Sequence, residues 1–297
     1  MAAQVKARVM ARRRSKWTEQ VDPANRLNAL SNKEWLKRTK SVWYSHPGPR
    51  DQLKALHPAT FAENDVARLI ELFSKPGELV LDPFLGSGST LIACMMTGRR
   101  GVGIELVPRW AAIAAERVRR FMQANGAPSQ ILVDPDRDII QGDSRRVLAQ
   151  FPDDAFDFIV TSPPYWNILR KDRGMKVAVE RKTRNLPTCY SNRPDDLGNT
   201  PDYEQFLARL ADIWVEAARV LRSGRYMAVV VSDFRHGPRY YLYHADTARV
   251  VEESTPLVLK ASIILVQDSK NLYPYGVPYS FVPNVHHQNI LIFQKPQ

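Results

Sequence analysis

The chain has 297 residues, 44% hydrophobic and 25% charged, an ordinary globular composition with enough apolar material to bury a full core in one α/β domain. No apolar run approaches bilayer-spanning length, the basic start (Lys6 to Lys16) lacks the apolar stretch of a secretory signal, and two cysteines (Cys94, Cys189) are too few for a disulfide framework or a zinc site; a cytoplasmic protein without a membrane anchor is expected. The net charge of +11 is concentrated: residues 1–60 hold 13 Lys/Arg against 4 Asp/Glu and residues 166–193 hold 8 against 2, while the rest is mildly acidic. Such cationic segments attract a polyanion and release its counterions, although a solvated basic face has the same composition.

Residues 1–30 are polar and basic with no sustained period, and residues 1–50 are expected to form a basic N-terminal extension, partly disordered or in contact with DNA, ahead of a domain spanning 51–297. The pattern from Val66 to Phe73 predicts an amphipathic helix, broken by Lys75-Pro76-Gly77. Leu79–Asp82 reads as a short buried strand, and a helix opens between Ser87 and Thr90 and closes at Gly98. Strand 101–105, helix 108–122, strand 138–143 and strand 156–162 follow. The basic stretch 167–200 has no period and reads as an insertion loop. Helix 203–221 and strands 227–232, 259–266 and 289–293 complete the chain. Buried strands alternating with helices predict a doubly wound, mostly parallel sheet of seven strands, a Rossmann-like architecture. Asp82, Glu105, Asp143 and Ser162 each fall just beyond the carboxyl end of a predicted strand, where ligands bind in such sheets.

Three motifs carry chemistry. In Asp82-Pro83-Phe84-Leu85-Gly86-Ser87-Gly88-Ser89-Thr90, two glycines permit a tight turn and close backbone approach to a ligand at a helix start; no Walker loop and no full dinucleotide fingerprint is present. Glu105, ending the next strand, has the position of an acid that accepts hydrogen bonds from ribose hydroxyls. Thr161-Ser162-Pro163-Pro164-Tyr165-Trp166 combines a rigid double proline, whose carbonyls are pure acceptors, with a hydroxyl and with ring faces from Tyr165 and Trp166, an inventory suited to gripping a flat base by its amino group. Each has a plainer reading: a strand-to-helix turn, a capping acid and a rigid strand exit.

Together the three motifs resemble those of the DNA amino-methyltransferases, which make N4-methylcytosine or N6-methyladenine. The resemblance covers about residues 50–295 and implies S-adenosyl-L-methionine as cofactor. Asp82, Pro83, Phe84, Gly86, Ser87, Gly88, Ser89 and Thr90 resemble the segment that holds its methionine part, Glu105 the ribose-binding acid, and Asp143 the residue that contacts the adenine ring. His57-Pro58-Ala59-Thr60-Phe61 resembles a segment that completes the pocket through His57 and Phe61. Thr161 adjoins that pocket, and Ser162, Pro163, Pro164 and Tyr165 resemble the catalytic tetrad. Stretches 194–199, 232–235 and 275–284 also look like family segments.

The resemblance implies methyl transfer to the exocyclic amino group of a flipped base in DNA. Ser162 leading the tetrad favours cytosine N4 over adenine N6. An RNA N-methyltransferase and a non-catalytic DNA-binding regulator remain as alternatives. No metal is required; His286 and His287 read as structural. Arg170, Lys171, Arg173, Lys176, Arg181, Lys182 and Arg184, with Arg235 further on, are candidates for phosphate contact. A functionally paired restriction endonuclease, and a monomer or homodimer, complete the expectation.

Overall fold

The structure, a computed structural model, describes residues 19–48, 51–57, 61–126, 132–168 and 191–297. The elements run α1 (Asn32–Arg38), β1 (Val42–Tyr44), α2 (Gln52–Leu56), α3 (Glu63–Phe73), β2 (Leu79–Asp82), α4 (Ser89–Met96), β3 (Arg100–Glu105), α5 (Pro108–Asn125), β4 (Ile139–Gln141), α6 (Ser144–Leu148), β5 (Phe156–Thr161), α7 (Tyr203–Val220), β6 (Leu221–Val231), β7 (Phe234–His236), β8 (Arg239–Tyr241), α8 (Tyr243–Ser254), β9 (Val258–Val266) and β10 (His287–Gln294). No helix among the described residues is long and apolar enough to cross a membrane.

The main sheet has eight strands in the order β1-β9-β10-β6-β5-β2-β3-β4, all parallel except β10. From β2 the chain winds outward through β3 to β4, then returns to place β5 on the other side of β2. That reversal opens a crevice beyond the carboxyl ends of β2 and β5.

Both faces of the sheet are covered, and strand residues divide by period two. Val80, Phe158, Val160, Ala228, Val230, Ile290 and Ile292 join the core formed with α3, α4 and α5. Their neighbours Leu81, Ile159, Met227, Val229, Leu291 and Phe293 join the core formed with α7 and α8. This double burial explains why the strands read as near-continuous apolar runs.

Seven strands were expected and eight are present; the addition is β1, which pairs parallel with β9 at the sheet edge. It comes from the stretch expected as an N-terminal extension. Within that stretch α1 begins on a capping box, with the Ser31 N–H donating to Glu34 at 3.0 Å, and Leu30 and Trp43 are buried in the α3–α5 core. Three residues are too short a run for period two to register, and the surrounding positive charge masks them. The small β7–β8 hairpin and α8 were also missed.

Candidate active site

At the carboxyl end of β2 lies Asp82. This side chain is 1% exposed, and its oxygens accept from Thr90 Oγ1 at 2.5 Å, Thr161 Oγ1 at 2.6 Å and the Phe84 N–H at 3.0 Å. Burial pushes its carboxyl up, against the pull of these three donors. Asp82 thus ties the end of β2 to the start of α4 and the end of β5.

Above it the glycine turn is shaped by what surrounds it. Gly86 has φ +56°, and a Cβ there would lie 3.1 Å from the His57 ring; Gly88 has φ +84°, and a Cβ would lie 3.0 Å from Ala114 Cβ on α5. Neither position accepts a side chain without displacing a neighbour. His57 is held edge-on to Trp110, with ring centroids 4.8 Å apart.

Beneath the turn lies a charge network that sequence reasoning missed. Arg117 of α5, 4% exposed, donates to Asp51 at 2.8 Å, to Glu63 at 2.6 Å and to the Ser87 carbonyl. Glu63 also pairs with buried Lys54 and accepts from the Ser89 hydroxyl at 2.9 Å. Burial works to raise the Glu63 carboxyl, but Lys54 and Arg117 hold it below its usual range. The network binds the turn to α2, α3 and α5 at once.

One cavity joins the two motif groups. Its walls include His57, Phe61, Pro83, Phe84, Gly86, Ser87, Ser89, Thr90, Glu105 and Asp143 on one side, and Ser162, Pro163, Pro164 and Tyr165 on the other. Of the sequence-chosen pocket residues, Asp82, Gly88 and Thr161 are absent from these walls and stand behind them. Glu105 accepts from the Gly86 N–H at 2.9 Å and the Val107 N–H at 2.8 Å. Burial raises its carboxyl to about 7 despite those donors. Asp143 caps α6 and binds the Arg145 guanidinium at 2.6 and 3.1 Å. Its own burial opposes ionisation, but Arg145 prevails and lowers it.

The proline ledge is positioned from elements far along the chain. Tyr243, fully buried at the start of α8, donates to the Pro164 carbonyl at 3.0 Å, and its ring meets Tyr165 edge-on at 5.7 Å. The Tyr165 hydroxyl accepts from Gln288 Nε2 at 3.2 Å, and burial raises its phenol above the usual range. Gln288, together with Asp195, Asp196 and Leu197, lines the cavity without having been singled out as a site residue.

Trp166 does not offer a ring face. It is buried at φ +39°, donates to the Thr200 carbonyl at 2.8 Å and packs on His236 at 4.3 Å. Arg235 lies on the β7–β8 hairpin, donates to the Pro238 carbonyl at 3.1 Å, and is not part of the cavity wall. The other phosphate-contact candidates, Arg170, Lys171, Arg173, Lys176, Arg181, Lys182 and Arg184, lie outside the described residues.

Fold and site together define a Rossmann-like α/β domain whose nucleotide-type crevice opens onto a proline ledge. A family model described as DNA methylase matches residues 4–116, a span that includes the glycine turn and Glu105 but ends before the ledge. The chain is 41% identical over 85 residues to the Type II methyltransferase M.SmaI of Serratia marcescens, covering 28% of each chain. It is 36% identical over 84 residues to M.XycI of Xanthomonas campestris pv. cyanopsidis, covering 28% of this chain and 27% of that one. Over 95 residues it is 34% identical to M.BglI of Bacillus subtilis, covering 32% of this chain and 26% of that one. The chain thus spans about a quarter of the length of these relatives. The similarity to DNA methylases is confined to part of the chain, residues 4–116 for the family model.

Proposed function

We propose that the protein transfers a methyl group from S-adenosyl-L-methionine to the exocyclic amino nitrogen of a base in DNA, with cytosine N4 the preferred acceptor. The observation that carries this reading is the single cavity shared by the glycine turn, Glu105 and the ledge at Ser162–Tyr165. The cofactor's chemistry fits the residues present. Gly86 leaves a cradle that a Cβ would fill, and each Glu105 oxygen keeps a lone pair for a ribose hydroxyl after accepting one backbone N–H. When bound, the cofactor supplies an electrophilic methyl on a sulfonium.

The remaining work falls to the ledge. An amino nitrogen on a base is a poor nucleophile because its lone pair is delocalised into the ring. Tyr243 occupies the Pro164 carbonyl, which leaves the Pro163 carbonyl and the Ser162 oxygen to accept the two amino protons. Those hydrogen bonds favour a pyramidal nitrogen and localise its lone pair. Holding it in line with the methyl carbon would then provide most of the acceleration; as the N–CH3 bond forms, the S–CH3 bond breaks to leave a neutral thioether, and the nitrogen sheds one of its two protons. The base leaves the stack to reach this depth. DNA as the acceptor is supported by the Type II methyltransferases among the relatives, and Ser162 at the head of the tetrad supports cytosine.

The test is incubation with labelled S-adenosyl-L-methionine and DNA, followed by identification of the modified nucleoside by mass. N4-methylcytosine is expected. N6-methyladenine would move the acceptor to the alternative base, and an absence of label in DNA would overturn the proposal.

A further inference from the structure

Gln288 occupies an unusual place. Because β10 runs against the other strands, its amino end, not its carboxyl end, reaches the rim where the cavity opens. The side-chain amide there is held at both ends. Its Oε1 accepts from Gln267 Nε2 of the loop after β9 at 2.9 Å, and its Nε2 donates to the Tyr165 hydroxyl at 3.2 Å. The oxygen is therefore engaged toward β9, and the nitrogen stands beside the ledge. Ser162 and Tyr165 line the same cavity as Gln288. Gln267 Oε1 is buried with no hydrogen-bond partner among the described residues, a cost that an apolar residue at that position would avoid.

A primary amide nitrogen carries two N–H groups, and Tyr165 takes one. We propose that the second N–H of Gln288 reads the target base, by donating to the ring nitrogen adjacent to the amino group that is methylated. This inference rests on the methyl-transfer reading above and extends it to substrate selection. Cytosine (N4 with N3) and adenine (N6 with N1) both present an amino donor beside a ring-nitrogen acceptor. The acceptors of Ser162 and Pro163 and the donor of Gln288 form the complementary pair. Thymine and guanine present the reverse, a keto oxygen beside a ring N–H. In this site they would set oxygen against oxygen and N–H against N–H, leaving buried polar groups unpaired. Gln288 thus selects for the amino-bearing bases as a class, whichever of the two is the substrate.

The experiment is a double-mutant cycle between protein and base. Once the methylated nucleoside is known, two duplexes are compared: the natural one, and one whose target base has a C–H in place of that ring nitrogen (3-deazacytosine or 1-deazaadenine). Both are assayed for kcat/KM with the wild-type protein, with Gln288→Met and with Gln288→Glu; the second variant keeps the side-chain shape while removing both N–H groups. The wild type should lose on the order of tenfold on the deaza duplex. Each variant should lose a similar factor on the natural duplex and little more on the deaza one. If a folded variant, verified by its thermal transition, shows the same additional deaza loss as the wild type, Gln288 only buttresses Tyr165. The base-reading role is then wrong while methyl transfer stands. If the labelled incubation that precedes this cycle leaves no methyl group on DNA, the underlying reading fails instead, and the selection role with it.

Discussion

The two halves of the cavity are built on different principles. The glycine-turn half, which the proposed function gives to the cofactor, is local in sequence and heavily braced. Turn and acid come from adjacent strands within residues 82–105, and the turn is clamped from below by Arg117, Glu63 and Lys54. The ledge half, to which the proposed function assigns the base, is assembled from remote pieces: the exit of β5, the start of α8 and the start of β10, joined by single neutral hydrogen bonds to Pro164 and Tyr165. A buried ion network holds one geometry at high cost if broken, whereas neutral bonds between side chains yield more readily. Under the proposed function, the braced turn would suit a constant ligand, and the less tightly held ledge a substrate that must enter and leave in every cycle.

Breaking the clamp tests the first half of that contrast and should give the largest effect. Arg117→Met removes the hydrogen bonds to Asp51, Glu63 and Ser87 from a side chain that is 3% exposed and leaves Lys54 as the one ion partner of Glu63 among the described residues. Loss of one partner from a buried charge network costs about 3–5 kcal/mol. Urea denaturation should show that loss, and calorimetry should show weakened cofactor binding in whatever fraction remains folded. Unchanged stability would mean the network contributes nothing to the turn.

Removing an acceptor from the ledge tests the other half. Ser162→Ala should lower single-turnover methyl transfer by about 10²–10³-fold, the scale on which one preorganised hydrogen bond acts in an active site. Cofactor affinity and the unfolding midpoint should stay near wild type, because no element of the clamp passes through Ser162. A Ser162→Ala variant that lost cofactor affinity as severely as activity would erase the distinction between the two halves.

The same contrast explains what could be read from the sequence. The placement of the glycine-turn half was legible because its parts follow one another along parallel strands, so strand ends marked by Asp82, Glu105 and Asp143 in the sequence are neighbours in space. The clamp was not legible, because Lys54, Glu63 and Arg117 sit on three separate helices, and charged residues at such spacings look like solvent-facing positions. Gln288 was missed for a geometric reason: a search beyond the carboxyl ends of strands overlooks the one antiparallel strand that presents its beginning. Trp166, next to the tetrad, was read as a second ring face, yet the left-handed turn at that residue directs its ring into the core.

The smallest effect expected is a pH dependence within the cofactor half. Burial holds the Glu105 carboxyl near 7, well above its ordinary 4.5, despite the Val107 and Gly86 N–H donors. Accepting two ribose hydroxyls requires the ionised form, so below about 7 binding must first release a proton. Cofactor affinity should therefore rise with pH by at most about tenfold per unit below 7, and level off above it. Stability of the free protein should move the other way. The folded state keeps this proton to a higher pH than the unfolded chain, so stability falls as pH rises from about 4.5 towards 7. Calorimetric titration at about pH 6 and about pH 8, paired with thermal unfolding at the same values, reads both trends. Glu105→Gln should flatten both at once, since an amide has no proton to lose in that range. A wild-type affinity independent of pH would mean that Glu105 is already ionised in the free crevice, and that the two backbone N–H groups outweigh its burial.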